Sequence, residues 1–209
     1  KSQILLNINN YVIKRLIELS GVFLIFTGIF LLATIVTYSP SDPNFIYNQE
    51  NSQIENIGGF YGSFISDFLL QSFGLISFFL IINFLSWGQK LIANKIVNNF
   101  TPKIFYLLLY IIFGTTVLNI LYNDSFWLID NGNGGFVGRA IKENIYYYPP
   151  LIENEYVTYV LILLTFIFFI LSASIKLNEV NKILIFPFAA IKKLINFFKK
   201  DKINSKINP

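Results

Sequence analysis

The chain has 209 residues, of which 54% are hydrophobic, 18% aromatic and 13% charged, with a mean hydropathy of +0.57 and a formal net charge of +4. Soluble domains carry about a quarter charged residues, so this composition excludes an ordinary soluble fold and points to an integral membrane protein. Cys, His and Met are absent, which removes disulfides, thiolate nucleophiles, Cys/His zinc sites and the commonest general base near neutral pH. Beginning at Lys1 and ending in the polar stretch 201–209, the chain is expected to be a segment of a longer protein.

In chain order, residues 1–20 predict a cytoplasmic amphipathic segment, with Ile4, Leu5, Ile8, Val12, Leu16 and Ile17 on one helical side. Crossing the hydrocarbon core takes roughly 17 to 25 apolar residues at about 1.5 Å each. Four stretches qualify, at about 21–38, 68–87, 104–122 and 156–175, and together they define a membrane domain over 21–175. None has an acidic or basic residue in its interior, and Gln71, Asn83 and Asn119 read as polar helix-packing contacts. Loops 39–67 and 123–155 fall outside, while 176–209 is a basic cytoplasmic segment and the start of a linker. Of the 16 basic residues, 14 lie before the first span, between the second and third, or after the fourth; only Arg139 and Lys142 lie on the other side. That asymmetry places both termini in the cytoplasm. It also accounts for a pI near 9.1 without nucleic-acid binding by this segment.

The outside loops share a glycine string. Gly58, Gly59 and Gly62 recur 76 residues later as Gly134, Gly135 and Gly138, and at the same offset Asp67 matches Glu143. The expected fold is therefore all-α, four transmembrane helices forming two hairpins of a parallel repeat. The glycines are expected to turn the loop backbone into the following helix, with Asp67 and Glu143 complementing an early-turn helix dipole. A phosphate nest is the functional alternative for this corner. Asp42, between Pro40 and Pro43, is expected to fix a turn. After the last span, Phe188, Ile191, Ile195 and Phe198 follow helical spacing beside Lys192, Lys193, Lys199 and Lys200, a pattern suited to an anionic membrane surface. Pro187 marks its first turn or a kink. Gly88-Gln89-Lys90 lacks the upstream glycine and following hydroxyl residue of a Walker A loop.

Arg15-Leu16-Ile17-Glu18, an apolar span and then the string from Thr37 through Tyr38, Ser39, Pro40, Ser41 and Asp42 to Pro43 resemble the start of the N-terminal membrane domain of FtsK/SpoIIIE-type bacterial DNA translocases. Gly58, Gly59, Gly62, Ser66-Asp67-Phe68-Leu69, Phe73-Gly74, Trp87-Gly88 and the later Gly134, Gly135 and Gly138 are similar to the same family over about 15–175. Tyr146-Tyr147-Tyr148-Pro149-Pro150-Leu151 departs from the small residues expected before the fourth span. The resemblance implies a multi-pass anchor in the bacterial inner membrane, enriched at the division septum. Its implied partners are the lipid bilayer, other division-site membrane proteins and copies of itself in a ring. ATP, Mg and DNA would belong to a motor domain absent from these residues, so no catalytic, cofactor or metal residue is expected here. The competing function is a small four-span transporter, channel or lipid flippase.

Overall fold

The computed structural model describes residues 2–44, 54–95, 99–128, 130–145 and 154–176, with backbone alone at 2–8 and 145. These residues are helical or irregular, with no strand among them. Helix α1 spans Ser2–Val36, α2 Gly59–Phe73, α3 Ser77–Asn94, α4 Phe100–Leu121, α5 Gly135–Ile145 and α6 Glu155–Ala173. Four helical stretches are long and apolar enough to cross a membrane: Asn9–Val36, Gly59–Asn94, Phe100–Leu121 and Glu155–Ala173. Lys1–Ser174 form one compact unit and Ile175–Pro209 a second, of which Ile175 and Lys176 are described. The basic pattern at Lys192, Lys193, Lys199 and Lys200 lies outside the described residues, as does the tyrosine-proline stretch 146–151.

The N-terminal segment and the first span are one uninterrupted helix, because no proline intervenes before Pro40. Its two internal glycines are packing positions. A Cβ on Gly21 would lie 2.8 Å from the Gly88 carbonyl oxygen, one on Gly88 2.6 Å from that of Gly21, and one on Gly28 2.9 Å from Leu85. In lipid the apolar side chains gain little by leaving their surroundings, so such close backbone approach is what makes two helices adhere. Helix α4 pairs with α6 in the same manner, with Gly114 facing Thr165 and also Ile76.

The second membrane-crossing element is broken. Gly74 adopts φ +57° and Gly74–Ile76 form one 3-10 turn between α2 and α3. The Ser77 hydroxyl takes up the Leu69 carbonyl at 2.8 Å, restoring part of what the break removes. Helix α2 also reaches back to Gly59, well into the stretch expected as loop, and α5 occupies the equivalent part of the second loop.

Leu31, Ile35, Leu70, Ile81 and Leu128 form the buried core at the end of the molecule carrying these loops. Further along, Asn83 on α3 donates to the Tyr110 hydroxyl on α4 at 2.7 Å, both side chains fully buried. Phe79 and Phe169 close over them at 4.5 Å between ring centroids. Large apolar side chains line the outer surfaces of α1 and α6, among them Phe23, Phe26, Tyr159 and Leu163, as lipid-facing helices require.

At the opposite end α3 caps α6. Ser86, Trp87 and Lys90 all donate to its terminal carbonyls: Ser86 Oγ and Lys90 Nζ to Ala173, and Trp87 Nε1 to Ser172, each at 2.7 Å, with Lys90 also reaching Ser174. Ser172 Oγ in turn donates to Lys103 O at 2.9 Å. These bonds satisfy carbonyls that the last helical turn would otherwise leave without partners.

Candidate functional site: the paired glycine corners

Each hairpin end is built around an asparagine just ahead of its glycine pair. In the first, Asn56 Nδ2 donates to the carbonyls of Thr34 at 2.8 Å, in the last turn of α1, and Thr37 at 3.3 Å, just past it, and to Ser66 Oγ at 3.2 Å. Its Oδ1 accepts the Gly58 amide at 2.9 Å. In the second, Asn133 Nδ2 donates to the carbonyls of Tyr122 at 3.3 Å and Asp124 at 2.8 Å, just past α4. Asn123 Oδ1 there accepts the Gly134 amide at 3.2 Å. Both loops thus fold back onto the carbonyl end of the helix they follow.

Asp42 is buried, and its two carboxylate oxygens accept the amides of Glu55 and Asn56, both at 2.9 Å. It does more than shape a local turn: it joins the two ends of loop 39–58 to each other. Beside it, Ser63 Oγ donates to the Pro43 carbonyl at 2.9 Å.

The glycines divide into two jobs. Gly59 and Gly135, equivalent in the repeat, have φ +61° and +65° and are the first residues of α2 and α5, a left-handed entry that a Cβ disfavours. Gly62 and Gly138 do not make the turn, contrary to expectation. They lie inside the helices, where a Cβ would strike Asn56 Oδ1 and Thr34 in one copy and the Thr115 carbonyl in the other. Gly58 and Gly134 are similar: a Cβ on Gly58 would be 2.7 Å from Gly62 Cα, and one on Gly134 2.7 Å from the Thr115 carbonyl.

Asp67 and Glu143 also fall elsewhere than expected. Because each helix begins at its glycine, both acids sit in the third turn rather than the first, beyond the reach of the N-terminal dipole. They also diverge in surroundings. Glu143 is exposed and pairs with Arg139 at 4.0 Å, whereas Asp67 is buried and accepts the Tyr38 hydroxyl at 3.1 Å. Tyr38 accepts from Gln71 at 3.3 Å, and Gln71 accepts from Asn131 at 2.9 Å. Burial, aided by the Asp67 charge, pushes the Tyr38 phenol up to about 12.

This chain of bonds runs from the first hairpin into the second, and three other contacts accompany it. Leu75 donates its amide to the Asn133 carbonyl at 3.0 Å. A Cβ on Gly135 would lie 2.6 Å from the Gly74 nitrogen, and the Tyr38 and Trp127 rings meet edge to face at 5.9 Å. Asp42, Pro43, Gly58, Gly59, Gly62, Asp67, Gly74, Gly134, Gly135 and Gly138 therefore all belong to one connected junction. Asn56, Asn123, Asn131 and Asn133 are the members that sequence reasoning missed, whereas Gln71 makes the polar packing contacts expected of it. An Asn preceding each glycine pair, at Asn56 and Asn133, was the signal available.

The glycine amides are committed. Gly58 and Gly59 donate to Asn56, Gly62 to Gly58, Gly134 to Asn123 and Gly135 to Gly132, so these five amides are already paired within the protein. Among the described residues, no group of three or more His, Cys, Asp or Glu side chains is placed to hold a metal ion. The junction's chemistry is that of a rigid hydrogen-bonded joint.

The family model for the 4TM region of DNA translocase FtsK/SpoIIIE matches residues 13–184. The DNA translocase FtsK of Rickettsia bellii is 29% identical over 178 residues, covering 84% of this chain and 22% of that protein. That of Rickettsia prowazekii is 27% identical over 80% of this chain and 21% of its own length, and that of Agrobacterium fabrum 24% identical over 71% and 16%. The chain therefore spans about a fifth of the length of the curated relatives it matches. No solved structure matches it.

Proposed function

Because the chain belongs to the family of the 4TM region of FtsK/SpoIIIE DNA translocases, we propose that it is the membrane anchor and septum-interaction domain of a translocase acting in cell division and chromosome segregation. The observation that carries this reading is the family match over residues 13–184 on a bundle of four membrane-crossing helices. The relatives' name supplies the DNA translocation; the ATP- and Mg-dependent motor and its DNA contacts lie in the rest of such a protein. This segment itself holds position and recruits partners, without catalysis.

The chain has both termini in the cytoplasm, for the end carrying Lys90, Lys95 and Lys103 is the basic one. Its two hairpins are a parallel repeat. Supporting this are the shared left-handed glycines at 59 and 135 and the asparagine clasp in each copy. The outer junction presents a fixed surface to neighbouring division proteins, with Tyr61, Phe126 and Phe136 exposed on it. Copies of the domain are held together in the ring that the motor requires. The transport reading gains little support, since the amide nitrogens of Asn83 and Asn119 donate to neighbouring side chains and Gln71 both donates to Tyr38 and accepts from Asn131.

The test is localisation. The chain fused to a fluorescent protein at its C-terminus, produced in a dividing bacterium, should concentrate at the division site of the inner membrane. An even distribution around the cell, with the fusion shown to be folded and abundant, would remove the septal function.

A further inference from the structure

A groove of about 490 Å³ opens on the flank of the bundle, lined by Leu19, Ser20, Phe23 and Leu24 of α1, Leu91 of α3 and Phe100 at the start of α4. That volume is within the roughly 300–1,000 Å³ of small-molecule sites. Its lining is apolar apart from the Ser20 hydroxyl, which is already donated to the Leu16 carbonyl at 2.9 Å. The groove begins where the charged residues of α1 end, Glu18 being the last of them, and so lies at the height where acyl chains meet headgroups.

Cations stand one turn from this lining on all three walls. Arg15 is four residues from Leu19 and Lys103 three from Phe100, each spacing keeping the pair on one helical face, and Lys95, which ends α3 four residues after Leu91, reaches Glu18 on α1. Glu18 bonds both Arg15 and Lys95, at 2.5 and 2.6 Å, and is the carboxylate among the described residues at this end. The rim keeps a net positive charge, so an apolar channel leads to a cationic mouth.

We propose that this groove binds an anionic glycerophospholipid of the surrounding bilayer, with an acyl chain against Leu19, Phe23, Leu91 and Phe100 and the phosphate at Arg15, Lys95 and Lys103. The groove follows α1 for less than two turns, about 7.5 Å along the axis. That is too short for a partner transmembrane helix, which presents a stripe of about 20 residues, and suits the upper part of one acyl chain. The bound lipid fastens α1, α3 and α4 together at the end where α3 also caps α6. The inference rests on the membrane placement of the helices and is independent of septal localisation.

Native mass spectrometry of the purified chain with added phosphatidylglycerol or phosphatidylcholine tests this. The expected result is retained phosphatidylglycerol in preference to phosphatidylcholine. Leu91→Trp, which fills the groove, should abolish that retention, as should Ser20→Leu if the first variant fails to fold. Val22→Trp, on the exposed side of α1, should leave it unchanged. Arg15→Gln and Lys103→Gln should each lower the preference by about fivefold, with the melting temperature showing an intact fold. Equal retention of both lipids by the wild type, or undiminished retention by a folded groove-filled variant, would overturn the proposal. So would a dimer mass that disappears in Leu91→Trp, which would assign the groove to a second copy.

Discussion

The amide of Leu75 and the carbonyl of Asn133 meet at 3.0 Å, and this bond ties the break in the second membrane-crossing element to the loop of the other hairpin. Breaking a helix in an apolar setting frees backbone groups that must be satisfied. Here Asn133 supplies the acceptor on one side of the break and Ser77 the donor on the other. Two of the backbone groups at the point where α2 ends and α3 begins, the Leu75 amide and the Leu69 carbonyl, are thereby paired, and the break is in contact with the second hairpin.

Gly74 should be the most sensitive residue of that contact. It has φ +57°, and a Cβ there would overlap the Asn133 carbonyl, a backbone obstacle that cannot rotate away. Gly59 has nearly the same φ, +61°, with nothing within 4 Å of where its Cβ would be. Gly59→Ala should therefore cost only the dihedral penalty, about 1–2 kcal/mol, and Gly74→Ala distinctly more. Thermal unfolding in detergent measures both; equal losses would show that the Asn133 contact contributes nothing to the sensitivity.

Gly62 and Gly138 make a second comparison. Both lie within helices, but a Cβ on Gly62 first meets the Asn56 side chain, whereas one on Gly138 meets the Thr115 carbonyl. A side chain can shift by a few tenths of an ångström where a helix backbone cannot. Gly138→Ala should lower the melting temperature more than Gly62→Ala, and Val at either position should reduce the yield of folded protein. The reverse order would mean that the Asn56 clasp is the stiffer of the two.

The glycine corners were legible because a repeated spacing survives any uncertainty about conformation: Gly58, Gly59 and Gly62 announce themselves when Gly134, Gly135 and Gly138 follow at a constant offset. What each glycine does was not, since the dihedral at Gly59 and the close approach at Gly62 look identical in letters. The break at Gly74 was hidden because residues 68–87 are uncharged and mostly apolar, and hydropathy does not register which carbonyls lose their partners. Helices α2 and α5 were masked by the polar residues on one side of each, Ser63, Ser66 and Asp67 in the first and Arg139, Lys142 and Glu143 in the second. The asparagine clasps join residues far apart in the chain, such as Asn56 and Thr34, which no local pattern encodes.

Tyr38 gives the junction a dependence on high pH. Burial and the neighbouring Asp67 hold the phenol neutral up to about 12, above the roughly 10 of an unfolded tyrosine. A raised folded value contributes stability that is fully present below the unfolded value and is lost as pH rises through the folded one. Between about pH 10 and about 12 the wild type should therefore lose stability more steeply than Tyr38→Phe, which has no phenol to ionise. Parallel curves of melting temperature against pH would show that Tyr38 ionisation carries no weight in the fold.

Trp87 and Lys90 should hold the end of α6 to α3. Trp87→Phe keeps the ring's packing but leaves the Ser172 carbonyl without its donor at 2.7 Å, a loss of about 1–3 kcal/mol for a buried group. Lys90→Met removes the donor to both Ala173 and Ser174 and should speed amide exchange in the last turn of α6 while leaving α5 unaffected. Exchange that rises equally in α5 would indicate general loosening of the bundle and would exclude a local cap.

Topology can be read with a single reagent, because the chain has no native cysteine. Ile57 and Phe126, 75% and 93% exposed, lie in the loops that follow α1 and α4, and Asn94 lies near the basic turn between α3 and α4. With cysteine at each site in turn, an impermeant thiol reagent added to intact cells should label positions 57 and 126 and spare 94, which should react only after the membrane is opened. The choice of sites matters, since Asn133, in the same loop as Phe126, is committed to Tyr122 and Asp124 and a cysteine there would disturb the junction. Labelling at position 94 in sealed cells would reverse the orientation and place the charged rim of Arg15, Lys95 and Lys103 outside, contrary to the asymmetry that 14 of the 16 basic residues display.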